Sequence, residues 1–462
     1  MTSLGNHAFD GCSGLTAVHI SDIAAWCKIS FGNALSNPLC YAQHLYIGEE
    51  EIKDLVIPNS MTSIGDRTFY NCSGLTSVTI PNSVTNIGGT AFYGCSGLTS
   101  VTIGNSVTSM GNNVFLDCSG LNAVHISDIA SWCKISFSNG YSNPLFYAHH
   151  LYLGEEEIKD LVIPTSVTSI GSSAFSDCSG LTSVTIPNSV TTIGNAAFLG
   201  CSGLTSVAIG NSVSSIGNQA FYGCSSLNSV TIGNNVLSIG NWAFQGCSSL
   251  TSITIPNSVK GIGQEAFRGC SGLTSVTIGS GVKTIDSQAF AYCKELTDVY
   301  CLAENVPSTS TDAFNESLIE YATLHVPTSS IDAYRAKEPW KSFKEIKSLT
   351  GEDVPVTPDP EKCATPTIAF VDGKLKFNCE TEDVEFVYDI KSTYSVHGVG
   401  SEVEPVCKCT VTVYATRQDY YNSDVATLEF TLGADGDVCD TNKDGVVDVA
   451  DIATIIDKMA GK

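Results

Sequence analysis

Oxygen ligands fall at the spacing a metal ion requires in one stretch of this chain, D-T-N-K-D-G-V-V-D-V-A-D, from Asp440 to Asp451. Ca2+ takes six to eight hard oxygens, and a twelve-residue loop supplies them from positions 1, 3, 5, 7, 9 and 12, with glycine at position 6 for the turn. Here those positions are Asp440, Asn442, Asp444, the carbonyl of Val446, Asp448 and Asp451, around Gly445. Position 12 is Asp, shorter than the Glu of an EF-hand. Val449, Ile452, Ile456 and Met459 follow at helical spacing, so a helix with an apolar stripe is predicted to leave the loop. Catalytic patterns are missing: the repeats contain neither G-x-S-x-G nor H-E-x-x-H, and the abundant Ser, Thr and Asp are repeat residues. Histidine offers only the adjacent pair His149-His150, a weak metal signal. The chemistry on offer is cation binding, and the chain is predicted not to be an enzyme.

The rest of the chain must position whatever binds, and it is dominated by one repeated phrase. Phe175, Phe198, Phe221, Phe244, Phe267 and Phe290 recur every 23 residues. Around them L-x-x-V-x-I gives a short strand, with Val207 and Ile209 on one side and Ser206 and Ala208 on the other. Gly217 and its equivalents mark turns. A coil of this size cannot bury its apolar stripe alone, so neighbouring coils must stack over a shared core. The fold class is mainly β with short helical turns: a leucine-rich-repeat solenoid, followed by a small immunoglobulin-like β module and a C-terminal EF-type loop and helix.

Composition supports this organisation. With 23 basic and 47 acidic residues the net charge is −24, which argues against nucleic acid and anionic membrane surfaces as partners. Between Asp160 and Lys260 the only charged side chain is Asp177, so the wall of the array is Ser, Thr and Asn. Ten of the 19 cysteines share one repeat column: Cys12, Cys72, Cys95, Cys118, Cys178, Cys201, Cys224, Cys247, Cys270 and Cys293. Such a column reads as packing by small apolar thiols, with a disulfide or metal role as the alternative. No apolar run of 18 residues is present to span a membrane. Met1 lies mid-repeat, in the column of Met61. A solenoid needs a cap over its first coil, so the chain is expected to be the C-terminal part of a longer protein whose export signal lies upstream.

In chain order, residues 1–300 form the solenoid, interrupted by two insert units at about 17–59 and 123–165. The motif A-V-H-I-S-D-I-A-A-W-C-K-I-S-F, N-P-L and H-L-Y-I-G-E-E-E-I-K-D-L-V-I-P recurs with Trp26 matched by Trp132 and Pro38 by Pro144. Asp22–Phe31 reads as a short helix capped by Ser21 or Asp22, and the runs around Gly48 read as a hairpin or two solenoid strands. Inserts map to one face of a solenoid, often the binding face. Trp26, Trp132, His149, His150 and the two Glu triplets are therefore the candidate ligand contacts; the competing reading has Trp and His cap the local core. Thr185, Thr231, Thr254 and Thr277 form a column that could hydrogen-bond a glycan or a partner backbone, or serve as inert surface. Residues 301–350 cap the solenoid, 351–362 are a Pro- and acid-rich linker, 363–433 are the β module with a hairpin at Asp372-Gly373, and 434–462 hold the calcium loop and helix. In the simplest hairpin register Cys379 opposes Pro366, which implies no bridge to Cys363.

Residues 1–347, with the W-C-K-I-S-F…N-P-L inserts and the E-P-W-K-S-F-K-E-I cap, resemble BspA-like leucine-rich-repeat surface proteins of anaerobic gut and oral bacteria. The C-A-T-P-T-I…D-G-K-L module is similar to appendages in the same bacteria. Residues 436–462 resemble half of a type I dockerin, a family with two such loop–helix units where this chain has one. Val449 and Ala450 occupy the loop positions with which that family reads its cohesin partners. The resemblance implies an exported, cell-surface or secreted protein that binds extracellular protein or glycan ligands. A Ca2+-dependent, cohesin-like partner for the tail is a further implication, with recruitment to polysaccharide capture as the alternative role.

Overall fold

The computed structural model describes residues 2–349 and, beyond them, segments 366–371, 374–379, 385–391, 395–399, 402–403, 408–416 and 426–431. The chain divides into two units, Met1–Pro355 and Val356–Lys462.

In the first unit each 23-residue phrase closes one coil. Strand Ser206–Ile209 turns into the two-residue strand Ser215–Ile216, and a loop through Phe221 and Cys224 leads to the next coil. Equivalent residues pair in parallel, Val184 with Val207 and Val207 with Val230. Along one side run four sheets, the first made of Val18–Ile20, Leu45–Ile47 and Glu50–Glu51. Six strands extend from Asp54–Val56 to Glu156–Glu157, four from Asp160–Val162 to Ser229–Thr231, and five from Ser252–Ile255 to Glu345–Ser348. The other side carries two-residue strands, seven of them in register from Ser169–Ile170 to Ser308–Thr309.

The alternation of the sequence sets the core. Val207, Ile209, Val213, Ile216 and Leu204 are buried while Ser206 and Ala208 face outward, and each aliphatic side chain so buried is worth about 1.5–3 kcal/mol. Phe175 to Phe314 stack ring on ring, with centroids 5.2–5.4 Å apart and planes within 11°. Trp340 and Phe343 close that stack edge-on at Phe314. Polar ladders explain the neutral composition. The backbone N–H of Asn218 donates to Asn195 Oδ1, that of Asn241 to Asn218 Oδ1 and that of Gln264 to Asn241 Oδ1, at 2.8–2.9 Å. Uncharged amides thus satisfy turn donors coil after coil. At Gly217 the coils touch through backbone: a Cβ there would lie 2.6 Å from the carbonyl carbon of Gly194, so no larger residue fits.

The residue two before each phenylalanine from Phe175 to Phe290 adopts φ > 0 without being glycine, including Ala196 (φ 54°) and Gln219 (φ 58°). Left-handed backbone costs an L-residue about 1–2 kcal/mol. Ala196→Gly is therefore expected to stabilise the array by about 1 kcal/mol, read as a raised denaturation midpoint. An unchanged or lowered midpoint would contradict this account of the turn.

The cysteine column packs, with one correction. Cys72 to Cys293 are buried and free, but Cys12 is exposed. The thiols also donate: Cys224 Sγ reaches Phe198 O at 3.2 Å and Cys270 Sγ reaches Phe244 O at 3.2 Å. A side chain that is small, apolar and still a donor suits this position. Burial pushes Cys72, Cys178, Cys224 and Cys293 up to about 12, leaving almost no thiolate at neutral pH. Iodoacetamide at pH 8 should alkylate Cys12 in the native chain and spare these four until denaturant is added. Peptide mapping checks it, and prompt labelling of Cys224 would refute it.

In the first insert the helix is shorter than its sequence suggests. It spans Ile23–Cys27, with Asp22 accepting from the backbone N–H of Ala24 and Ala25. Ser30–Phe31 is instead a strand paired with Ser3–Leu4, which seats Phe31 in the core 5.4 Å from Trp26. The Glu triplets sit on antiparallel hairpins: Leu45–Ile47 with Glu50–Glu51, and Leu151–Leu153 with Glu156–Glu157. The next coil starts after each, at Asp54–Val56 and Asp160–Val162.

The described residues of the second unit are all strand or strand-flanking. Thr367–Val371 pairs antiparallel with Lys374–Asn378, Val371 facing Lys374, and the latter strand pairs with Glu402–Val403. A separate antiparallel sheet runs Ser395–Val399, Glu385–Lys391, Lys408–Thr416, Ala426–Thr431. The calcium loop and its helix, 434–462, lie outside the described residues.

Candidate functional site

The insert tryptophans do not face a partner. Trp26 and Trp132 are 6% and 1% exposed. Their Nε1–H groups donate into the following coil, to Thr68 O at 2.9 Å and Ala174 O at 2.7 Å. The asparagine of N-P-L works beside them. Asn143 Nδ2 donates to Ser173 O and Ala174 O, while its Oδ1 accepts from Leu145 N–H at the start of helix Leu145–Ala148; Asn37 repeats this with Arg67, Thr68 and Leu39. Together, indole and amide splice an irregular coil onto a regular one, and a ligand would reach them only by opening the coil.

His149 and His150 point to different partners. His149 is a left-handed cap (φ 62°) whose Nδ1 donates to Asp177 O at 3.0 Å. His150 Nδ1 lies 2.6 Å from Glu157 Oε1, as His44 lies 2.5 Å from Glu51 Oε1. Among the described residues no group of three His, Cys, Asp or Glu could hold a metal ion. Asp440, Asn442, Asp444, Val446, Asp448 and Asp451 are outside those residues.

A feature the sequence reading missed lies on the strand face. The outward row of the first long sheet runs Val56, Thr79, Thr102, His125, Tyr152. Further along, the row runs Thr185, Ala208, Thr231, and then Thr254, Thr277, Tyr300, His325. Three times the hydroxyl column gives way to a stacked histidine and tyrosine: His19 on Tyr46 at 4.9 Å, His125 on Tyr152 at 4.8 Å, and Tyr300 on His325 at 4.3 Å. Thr277, expected outward, is buried where it adjoins Tyr300. At the second insert, Thr79, Thr102, Asn82, His125, Ser127 and Glu155 line a cleft of ≈ 800 Å³. His125 Nδ1 lies 2.8 Å from Gly154 O. A carbonyl can only accept, so Nδ1 carries the proton and a neutral ring keeps Nε2 as an acceptor. Hydroxyls, an amide, an imidazole and a carboxylate converge there.

Residues 42–143, 148–241 and 214–336 match the BspA type leucine rich repeat region, in six copies. The chain belongs to the BspA-type leucine-rich-repeat family. This BspA-type chain is similar to several solved structures. A leucine-rich repeat protein from Bacteroides ovatus is 26% identical over 76% of this chain and 88% of that one, with a TM-score of 0.46. A leucine rich cell surface protein from Faecalibacterium prausnitzii is 26% identical over 66% and 89%, with a TM-score of 0.36. The leucine rich repeat protein of T. pallidum is 34% identical over 34% and 75%, with a TM-score of 0.33. No curated protein matches the chain. Among the described residues of this BspA-type protein no helix is long and apolar enough to cross a membrane.

Proposed function

We propose that the chain is an exported, non-enzymatic interaction or adhesion protein of the cell surface or extracellular space, binding a protein or glycan ligand on its strand face. Membership of the BspA-type family supports this reading. The observation that carries it is the ≈ 800 Å³ cleft, where an insert hairpin brings Glu155 and Gly154 beside His125 and the threonine row. Such a mixture of fixed donors, acceptors and ring faces is suited to recognition. Thr102 is exposed at the centre of the row. Thr102→Arg should leave the melting temperature in place and cut adhesion of chain-coated beads to epithelial cells about tenfold, a loss of roughly 1.4 kcal/mol. Undiminished adhesion by that variant would remove the cleft from the function.

The tail supports a second reading, an accessory subunit of polysaccharide capture recruited through residues 436–462. Its basis is the ligand set Asp440, Asn442, Asp444, Val446, Asp448 and Asp451, which suits Ca2+. Calorimetric titration of the full chain should show one Ca2+ site, lost on Asp440→Ala with Asp444→Ala. A Ca2+-dependent cohesin pull-down would favour recruitment; a chain that binds no Ca2+ ends this reading.

A further inference from the structure

Within this one chain the repeats differ little, so a column that does vary stands out, and at Tyr222 it is exposed. In A-F-x-G-C and its near copies, position x is Ser176, Leu199, Tyr222, Gln245, Arg268 and Ala291 in successive coils. This column sits on the turns after the phenylalanines, apart from the strand face that carries the cleft. Tyr222, Gln245, Arg268 and Tyr292 rise around a floor of Gly223, Gly246 and Gly269, enclosing a groove of ≈ 360 Å³. Gly246 has φ 75° and no Cβ, which keeps the floor open.

The groove is built of side chains suited to one kind of ligand. The floor N–H groups are spent on the next coil, Gly223 on Gln245 O, Gly246 on Arg268 O and Gly269 on Ala291 O. The carbonyls of Gly223 and Gly246 accept from Ser225 and Ser248. An extended peptide would find no backbone edge to pair with. The walls, in contrast, hold unsatisfied polar groups: the buried atoms Gln245 Oε1 and Arg268 Nε have no hydrogen-bond partner. Arg268 lies over the Tyr292 ring at 4.9 Å and 3.5 Å from Glu265 Oε2, so its charge is already balanced and a charged ligand is not called for. Tyr222 is 37% exposed at the opposite wall and offers a ring face.

We propose that this groove is a saccharide subsite holding a neutral hexose unit of a glycan, with the C–H face of the sugar against Tyr222 and its hydroxyls on Gln245 and Arg268. The site is independent of the strand-face cleft and does not rest on it. The test uses the full chain and a panel of neutral disaccharides (lactose, maltose, cellobiose, mannobiose and chitobiose), read by saturation-transfer NMR and calorimetry. At least one should bind with Kd of about 1 mM. Tyr222→Ala and Gln245→Ala should each weaken it about tenfold, while Tyr222→Phe, which keeps the ring, changes it less than about twofold. Tyr222 is exposed and Gln245 partly buried, and a retained melting temperature confirms that each variant is folded. Binding by none of the panel overturns the proposal, as does binding that survives Tyr222→Ala and Gln245→Ala. Sugar binding lost in Thr102→Arg instead would place it in the cleft and equally overturn the groove.

Discussion

Phe244→Ala should cost about 3–5 kcal/mol, among the largest effects available to a single substitution in this array. The ring is fully buried and lies between Phe221 and Phe267, at 5.2 Å and 5.3 Å, with interplanar angles of 10° and 3°. Each aromatic pair adds about 0.5–1.5 kcal/mol beyond the area it buries, and both are lost together. The neighbours cannot close the hole, because parallel backbone pairing fixes the coils on either side. In a solenoid, stability is a sum of coil terms and nearest-neighbour interfaces, so the damage falls on two interfaces and cooperativity should drop with it. Denaturant unfolding followed by fluorescence is expected to show a lower midpoint and a broader transition. Cys247→Ala is the comparator: it removes only a methylene-sized sulfhydryl and its 3.3 Å donation to Phe221 O, and should cost about 1 kcal/mol. A loss for Phe244→Ala no larger than that of Cys247→Ala would mean that the ring stack is not what binds the coils.

That stack was legible because it repeats. A phenylalanine every 23 residues, with Val and Ile on alternate positions, leaves a stacked coil as the way to bury each stripe. The inserts were not legible to the same depth, and the reason is register. Val124 pairs with Leu151, 27 residues away, where Val101 pairs with Val124 at 23. Only this longer step brings His125 against Tyr152, and no periodicity in the sequence announces it. Trp26 and Trp132 show a different limit. An amphipathic indole serves a binding surface and a core equally well, and here the acceptors for its N–H, Thr68 O and Ala174 O, lie 42 residues further along the chain. The threonine column was read correctly as facing outward except at Thr277, where the coil next to it carries Tyr300 in place of threonine.

Asn143→Ala should cost about 1–3 kcal/mol and act on a particular place in the molecule. The side chain is 1% exposed and makes three hydrogen bonds, to Ser173 O at 2.7 Å, to Ala174 O at 3.2 Å and from Leu145 N–H at 3.0 Å. Alanine leaves Leu145 N–H without an acceptor, a buried group costing about 1–3 kcal/mol, while Ser173 O keeps its bond from the Ser176 N–H. Ala174 O keeps its bond from Trp132. The first long sheet ends at Glu156–Glu157 and the next begins at Asp160–Val162, so strand pairing is interrupted here and the side-chain splice adds to backbone bonds such as Gly171 N–H to Cys133 O and Gly180 N–H to His149 O. Weakening it should let the coils before and after the insert unfold apart, giving two transitions in denaturant. Hydrogen exchange should then accelerate in residues 160–200 more than in residues 254–290. Trp132→Phe keeps most of the ring and loses only the second donor to Ala174 O; it should cost about 1 kcal/mol plus the smaller volume. Because both side chains serve one carbonyl, the double variant should lose more than the sum of the two singles. A single unbroken transition in Asn143→Ala, with strictly additive losses in the double variant, would show that the splice does not couple the two halves of the array, and that the asparagine acts only as the cap of helix Leu145–Ala148.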